Sequence, residues 1–446
     1  MFSRVFFVVP SLEGCEFYKW KDRNGMTKNP LEDVVDSSAV DIYSHLGRTG
    51  YFIEWILLKL YENNEELKNK TADAKIKDVK FKCVSGGVGL RSQVYQVKLI
   101  FDNEDIFKFV VKAPAEEHVY PAGAKTKEDS QVEHAHSAEV KICNMIKDLD
   151  ILVPKYFYAE DKNEEGPGLI LMQDFVDESG TVGWLGSSTV EQCKNLCKPL
   201  AEFHCEMMHI PGLPWKGQFE DHMHIQGIYQ SVIAELLPKS TGLVPEIKLF
   251  VEEYPFILTP AFSKFCIQEK AAEYNATFFL HSDLHGGNML FKKRDDGSVS
   301  NVPLAMIDWQ TAMEGNPLYD IAHFVCPTAD ADVRREVDSV IPDLYYDALV
   351  EAYRKHEDVV PFTRDQAREL YDLAIMQQTF QSLCMPAMLS SRGSGPVHEA
   401  KTAKVILKTK FLIDDTRKIL KKYGLQNWRS RGGRKHSITK YFGLIN

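Results

Sequence analysis

The feature that most constrains this chain is a change of hydrophobic period near Phe175. Between about Ala74 and Phe175 the apolar residues gather in short β-rich runs, VKFKCV, SQVYQVKLIF, IFKFVVKAP and GLILMQDF, interrupted by one helical stretch. Beyond Phe175 they recur at helical spacing, near 189–209, 219–237, 262–275, 332–355, 363–389 and 398–423. One piece of the second half departs from this. NMLFKKRDDGSVSNVPLAMID carries an Asp-Gly turn signal between two apolar runs and predicts a hairpin. A small sheet with one helix, followed by a larger mainly helical segment, is an α+β pattern.

Four segments follow: 1–73 as an irregular leader and helical extension, 74–175 as the sheet, 176–428 as the helical part and 429–446 as a tail. Within the first, Ile42 and Leu46, then Ile53, Ile56, Leu57 and Leu60, predict two helical segments separated by Gly47 and Gly50. The tail sets Arg429, Arg431, Arg434, Lys435 and Lys440 around a Gly-Gly pair and reads as flexible, basic and solvated. The 446 residues carry a net charge of -10 and a pI near 5.8, which argues against a nucleic-acid partner, since phosphate neutralisation needs a basic face. Nine cysteines without paired spacing suit reduced thiols, and hence the cytoplasm, better than a disulfide framework. The N-terminal apolar patch is cut by Pro10 and Glu13 short of the ~7 residues of a signal core, and no apolar run approaches the ~18 of a membrane span. Neither secretion nor a membrane span is expected.

The sharpest local signal is FFLHSDLHGGNMLF, in which His281-x-Asp283 is followed five residues on by Asn288. Phosphoryl transfer needs a carboxylate at the attacking hydroxyl and oxygen ligands for the metal that shields the phosphates. Asp283 suits the first role and Asn288 the second. The hairpin after this loop returns through LAMI to Asp308, a second candidate ligand. Magnesium keeps several waters and takes one or two protein carboxylates, so Asn288 and Asp308 suffice.

Upstream, VSGGVGLRSQ places Gly86, Gly87 and Gly89 between two strand-like runs, where backbone N–H groups can approach phosphate oxygens; a plain hairpin turn explains them equally well. Lys112 ends an apolar triplet and needs an anionic neighbour or a route to water. On the following helix Glu139 lies on the flank of the stripe Ala135, Ala138, Ile142 and Met145, whereas Glu133 points away, so Glu139 is the expected partner of Lys112. Met172, Gln173 and Asp174 end the last apolar run and form a candidate hinge whose backbone would meet an adenine edge. His204 lies on the stripe of Val190, Cys193, Cys197 and Leu200. It reads as a hydrogen-bonded core histidine in preference to a zinc ligand with Cys197 and Cys205.

Taken together, VVKAP, LAEFH, HSDLHGGNMLF and AMIDWQTAMEGNPLYDIAHF resemble the CHK kinase-like family, the ecdysteroid kinase-like and choline kinase-like branch of the aminoglycoside phosphotransferase superfamily, with nematode members. The resemblance covers about Asp78 to Tyr423. It implies a two-lobed protein-kinase-like fold, with MgATP between a small nucleotide lobe and a larger helical lobe. It also implies Asp283 as the catalytic-loop aspartate, His281 as its support, Asn288 and Asp308 as metal ligands, and Asp320 as a buttress of the loop. Ser282 stands where protein kinases carry the arginine of H-R-D, Asp308-Trp309-Gln310 replaces D-F-G, and no A-P-E segment follows. The acceptor expected is therefore a small-molecule hydroxyl, on a steroid-like compound, an amino alcohol or a xenobiotic. The alternative is a catalytically inactive kinase-fold protein that binds a lipophilic ligand.

Overall fold

The β-rich runs form one antiparallel-edged sheet, and the helical stretches form a separate, larger body. The computed structural model describes residues 30–84, 92–114, 127–163, 168–219 and 223–429. Contacts group the chain into two units, residues 1–124 with 157–172, and residues 125–156 with 173–446.

The first unit opens with helices α1 (Ile53–Asn63) and α2 (Glu65–Asp73), broken at Asn64, whose Oδ1 accepts the Leu67 N–H at 2.8 Å as an N-cap. The sheet has the order β1-β2-β3-β5-β4, with β1 (Ile76–Cys83), β2 (Ser92–Phe101), β3 (Ile106–Pro114), β4 (Tyr156–Glu160) and β5 (Leu169–Gln173). Both β1–β2 and β2–β3 are antiparallel. Val97, Leu99 and Phe101 on β2 and Phe107, Phe109 and Val111 on β3 alternate into one core, joined by Ile56, Leu57 and Leu60 of α1. Burying each such side chain is worth roughly 1.5–3 kcal/mol.

The expected helix around Ile42 and Leu46 is absent; this stretch is a series of turns. The carbonyls of Ile42 and Ser44 accept the first N–H groups of α1, from Glu54 at 2.8 Å and Ile53 at 3.0 Å, so they cannot propagate a helix of their own. Gly47 and Gly50 adopt φ of +57° and +76°, a left-handed backbone that ends any helix there. Strand β4, at the sheet's edge, is not marked in the sequence because YFYAE is only five residues long and shows no strict apolar–polar alternation.

The second unit holds α3 (Lys127–Ile146), which by position in the chain was expected with the sheet. It continues with β6 (Ser179–Gly180), α4 (Val190–Asn195), α5 (Cys197–His209), α6 (Met223–Leu243), α7 (Pro245–Glu253), α8 (Pro260–Lys264) and α9 (Lys270–Glu273). Then come β7 (Phe278–Leu280), β8 (Met289–Lys293), β9 (Val299–Met306) and β10 (Met313–Gly315), followed by α10 (Leu318–Thr328) and α11 (Ala331–Asp338). Helices α12 (Ile341–Lys355), α13 (Arg364–Ser382), α14 (Met385–Ser390) and α15 (Pro396–Lys422) complete it. Capping boxes at Thr189–Gln192 and Thr363–Gln366 start α4 and α13, each cap worth about 1 kcal/mol. β8 and β9 form the expected hairpin, turning at Gly297 with φ of +80°. β7 pairs with β10, α10 packs on α13 and α5 on α12. Among the described residues no helix is long and apolar enough to cross a membrane.

Candidate active site

Strand β7 delivers the chain into the loop 281–288, and β8 carries it away. The loop is held from below by Asp320, wholly buried on the first turn of α10. Its Oδ2 accepts the His281 N–H and its Oδ1 the Ser282 N–H, each at 2.8 Å. Asp320 therefore does not cap its own helix. His204 on α5 brings Nε2 to 3.6 Å from Asp320 Oδ2, a distance for charge attraction and not a hydrogen bond, and its Nδ1 meets the Tyr345 hydroxyl at 2.7 Å. It is thus a core histidine, as its stripe suggested. Burial alone would raise the Asp320 carboxyl, but His204, His281 and the loop N–H groups outweigh it and hold the group below its ordinary range.

His281 is wedged against Trp309, ring centroids 4.5 Å apart. Its Nδ1 accepts the Asp283 N–H at 3.3 Å, which makes Nε2 the donor to the Ile307 carbonyl at 2.9 Å. One ring thereby joins the loop to the end of the returning hairpin. Ser282 has φ of +66° and Asp308 φ of +73°. A non-glycine residue in this region costs of the order of 1–3 kcal/mol and persists only where its surroundings over-determine it. Here the constraints are the Asp320 bonds, the Ser282 hydroxyl donated to the Thr311 carbonyl, and the Trp309 backbone N–H donated to Glu139 Oε1 at 3.3 Å. Gly286 is needed for close approach: a Cβ there would lie 2.4 Å from the Gly183 carbonyl oxygen.

Asp283 keeps about a third of its side chain exposed (33%). Its Oδ1 lies 3.2 Å from His323 Nε2, and His323 Nδ1 lies 3.0 Å from Gln378 Oε1 on α13. Burial pushes the Asp283 carboxyl up, yet the His323 hydrogen bond and the charges of His285, His323 and His281 bring it below its usual value. His285, 3.9 Å from Asp283 Oδ2, is itself held below its ordinary value, chiefly by burial. Asn288 donates Nδ2–H to the Asp283 carbonyl at 2.9 Å, which leaves Oδ1 as its free-standing oxygen. Its own carbonyl accepts the Ile307 N–H at 3.0 Å, next to Asp308 in the chain. Hard oxygens from an amide and a carboxylate are the donor set that fits Mg2+.

The structure thus gathers His281, Asp283, Asn288 and Asp308 into one loop-and-hairpin junction, with Glu139 bonded to the residue after Asp308. Lys112 is a buried residue of β3 in the first unit, opposite Val94, and Glu139 is a buried residue of the second. Gly86, Gly87 and Gly89 lie outside the described residues. Met172 is buried at the end of β5, and Asp174 Oδ1 accepts the Val176 N–H at 2.7 Å. Gln173 donates its N–H to the Lys155 carbonyl at 2.9 Å. His323, Gln378 and His285 were not singled out from the sequence. His323 had a signal: it stands three residues after Asp320 on one helix, so both point to the same buried side.

Comparison with known proteins bears on this arrangement. A solved choline kinase from Cryptosporidium parvum matches with a TM-score of 0.50 at 13% identity, over 84% of this chain and 99% of that one, and shows the protein-kinase-like α+β fold. A choline/ethanolamine kinase family protein from Mesorhizobium loti aligns with a TM-score of 0.39 at 11% identity, over 77% of this chain and 91% of that one. A Caenorhabditis elegans protein named "Uncharacterized oxidoreductase dhs-27" is 24% identical over 344 residues, 70% of this chain but 39% of the relative's length. The profile of the DUF1679 family, described as "Uncharacterized oxidoreductase dhs-27", matches residues 77–423, and the chain belongs to that family.

Proposed function

We propose that the protein is an ATP- and Mg2+-dependent phosphotransferase that moves the γ-phosphate of ATP to a hydroxyl of a small molecule, steroid-like, amino alcohol or xenobiotic. The observation that carries this reading is the Asp283 carboxylate: ionised, aimed by His323 and mounted on a loop that two Asp320 hydrogen bonds hold rigid. In this reading residues 74–175 bind nucleotide and 176–428 carry out the chemistry. Lys112 contacts the nucleotide phosphates with Glu139 as its carboxylate, Gly86, Gly87 and Gly89 line the phosphates, and Met172, Gln173 and Asp174 border the adenine. Asn288 and Asp308 hold Mg2+, which supplies charge neutralisation on the phosphates.

Asp283 accepts a hydrogen bond from the acceptor hydroxyl and orients its oxygen towards the γ-phosphorus. A new P–O bond forms as the bond to the ADP leaving oxygen breaks, and the hydroxyl proton passes to Asp283 and then to solvent. A low carboxyl pKa suits this order, because the proton is taken late, when the hydroxyl has become acidic. The name of the C. elegans relative points to hydride chemistry, but it describes a whole protein of which 39% is matched.

The test is to incubate the purified chain with labelled ATP, Mg2+ and a metabolite extract, and to search for labelled products by mass spectrometry. A phosphorylated product formed by wild type and not by Asp283→Asn supports the reading. ATP binding without any labelled product would favour an inactive kinase-fold binding protein. Oxidation of an extract component coupled to a nicotinamide, without ATP, would replace it with the relative's named chemistry.

A further inference from the structure

A second cluster of chemistry-bearing side chains lies at the far end of α5. Cys205 and His209 are one turn apart on that helix, and His356 follows the last residue of α12, which packs on α5. Donor atoms of the three lie within 4.8 Å of one another.

The hydrogen bonds around them sort the ring nitrogens. His209 Nδ1 lies 2.7 Å from the Cys205 carbonyl oxygen, so Nδ1–H donates there and the lone pair sits on Nε2. That Nε2 is buried, has no hydrogen-bond partner, and lies 3.4 Å from Asp358 Oδ2. A lone pair facing a carboxylate is repulsive unless a cation comes between them. His356 Nε2 lies 2.9 Å from Glu206 Oε1, so Nε2–H donates to that carboxylate and Nδ1 carries the lone pair. Each imidazole therefore has one nitrogen held by an oxygen acceptor and the other open, the outer-shell arrangement that orients metal-ligating histidines.

We propose that Cys205, His209 and His356, with Asp358 as the fourth donor, form a binding site for a divalent transition metal of the zinc class. Thiolate and imidazole select such an ion over magnesium, so this site is distinct from the one assigned to Asn288 and Asp308. Tetrahedral zinc, with bonds of about 2.0–2.3 Å, sets its donors roughly 3.3–3.7 Å apart. The His209 Nε2 to Asp358 Oδ2 distance is already 3.4 Å. The two imidazoles are now stacked, centroids 3.9 Å apart and planes 14° from parallel, so their in-plane lone pairs do not yet converge. His356, with 28% of its side chain exposed, is the ring that turns out of the stack on binding. As the metal–sulfur bond forms, the Cys205 thiol loses its proton to solvent, one per ion bound. The ion joins the end of α5 to the end of α12.

The test uses the full chain stripped with a chelator and dialysed, then titrated with Zn2+ alone by calorimetry and with Co2+ by absorption. One Zn2+ per chain is expected, bound at micromolar concentration or tighter, and a thiolate-to-cobalt charge-transfer band. His356→Ala, at a part-exposed position, should weaken Zn2+ binding at least tenfold with the circular dichroism unchanged, and Cys205→Ser should abolish the band. Cys83→Ser, at an exposed thiol in the first unit, should leave both intact. Unchanged affinity in His356→Ala, a band that survives in Cys205→Ser, or a band lost in Cys83→Ser would overturn the assignment, as would a wild type that binds no zinc.

Discussion

Replacing Asp320 with alanine removes the acceptor of two buried backbone N–H groups at once, those of His281 and Ser282. Each buried donor left unpaired costs about 1–3 kcal/mol, so the structure implies a loss of about 2–6 kcal/mol. That is a large part of the ~5–15 kcal/mol by which folded domains are stable. Asp320→Asn keeps one acceptor oxygen and turns an N–H2 towards the other backbone donor, so it should cost less than alanine but more than nothing. Urea unfolding followed by tryptophan fluorescence is the assay, with buried Trp309, its ring tilted against His281, as a local reporter. The pH dependence has a fixed sign. The Asp320 carboxyl is held below its unfolded value, so its contribution is complete above an unfolded pKa of about 3.9 and is lost as pH falls through the folded value. The gap between wild type and Asp320→Ala should therefore narrow below about pH 4. A loss under about 0.5 kcal/mol at neutral pH would refute the claim that this carboxylate holds the loop.

Three further outcomes test the proposed chemistry. Asp283→Asn should lower turnover of an identified acceptor by roughly 10²-fold or more while MgATP affinity stays within a few-fold, checked by steady-state kinetics and calorimetry. His323→Leu removes the hydrogen bond that depresses the Asp283 carboxyl and leaves burial to raise it. The acid limb of the kcat/KM profile should then move to higher pH; a limb that stays put would show that His323 does not set this group. Lys112→Ala and Glu139→Ala should each reduce ATP turnover, and the double variant should cost much less than the sum of the two, whereas strict additivity would reject the pairing.

What could be read from the sequence was what short-range physics enforces. The change of period near Phe175, the Asp-Gly hairpin and the helical stretches after it all depend on residues within a few positions of one another, and all appear in the structure. The loop from His281 to Asn288 was legible for the same reason: its polar residues fall within eight positions, and the structure ties them together through local hydrogen bonds. Helical spacing at Ile42 and Leu46 misled because a series of turns buries the same two residues, and only the hydrogen bonds from α1 to the carbonyls of Ile42 and Ser44 distinguish the cases.

Tertiary structure decided how those residues are held and charged. Asp283 meets His323 across 40 residues of sequence, and His323 meets Gln378 across 55 more. No local pattern encodes such pairs, since they arise from the packing of α10 on α13. The same holds for the cysteine–histidine cluster, where His356 and Glu206 are 150 positions apart. The sequence drew attention to His204 by its helical stripe, and to Cys205 only as a zinc ligand beside it in the less favoured reading, but a stripe gives the face of one helix and not what lies opposite. The packing of α12 on α5 put Tyr345 beside His204 and His356 beside His209, because a side chain's chemistry is set by the partners that the fold brings within hydrogen-bond reach.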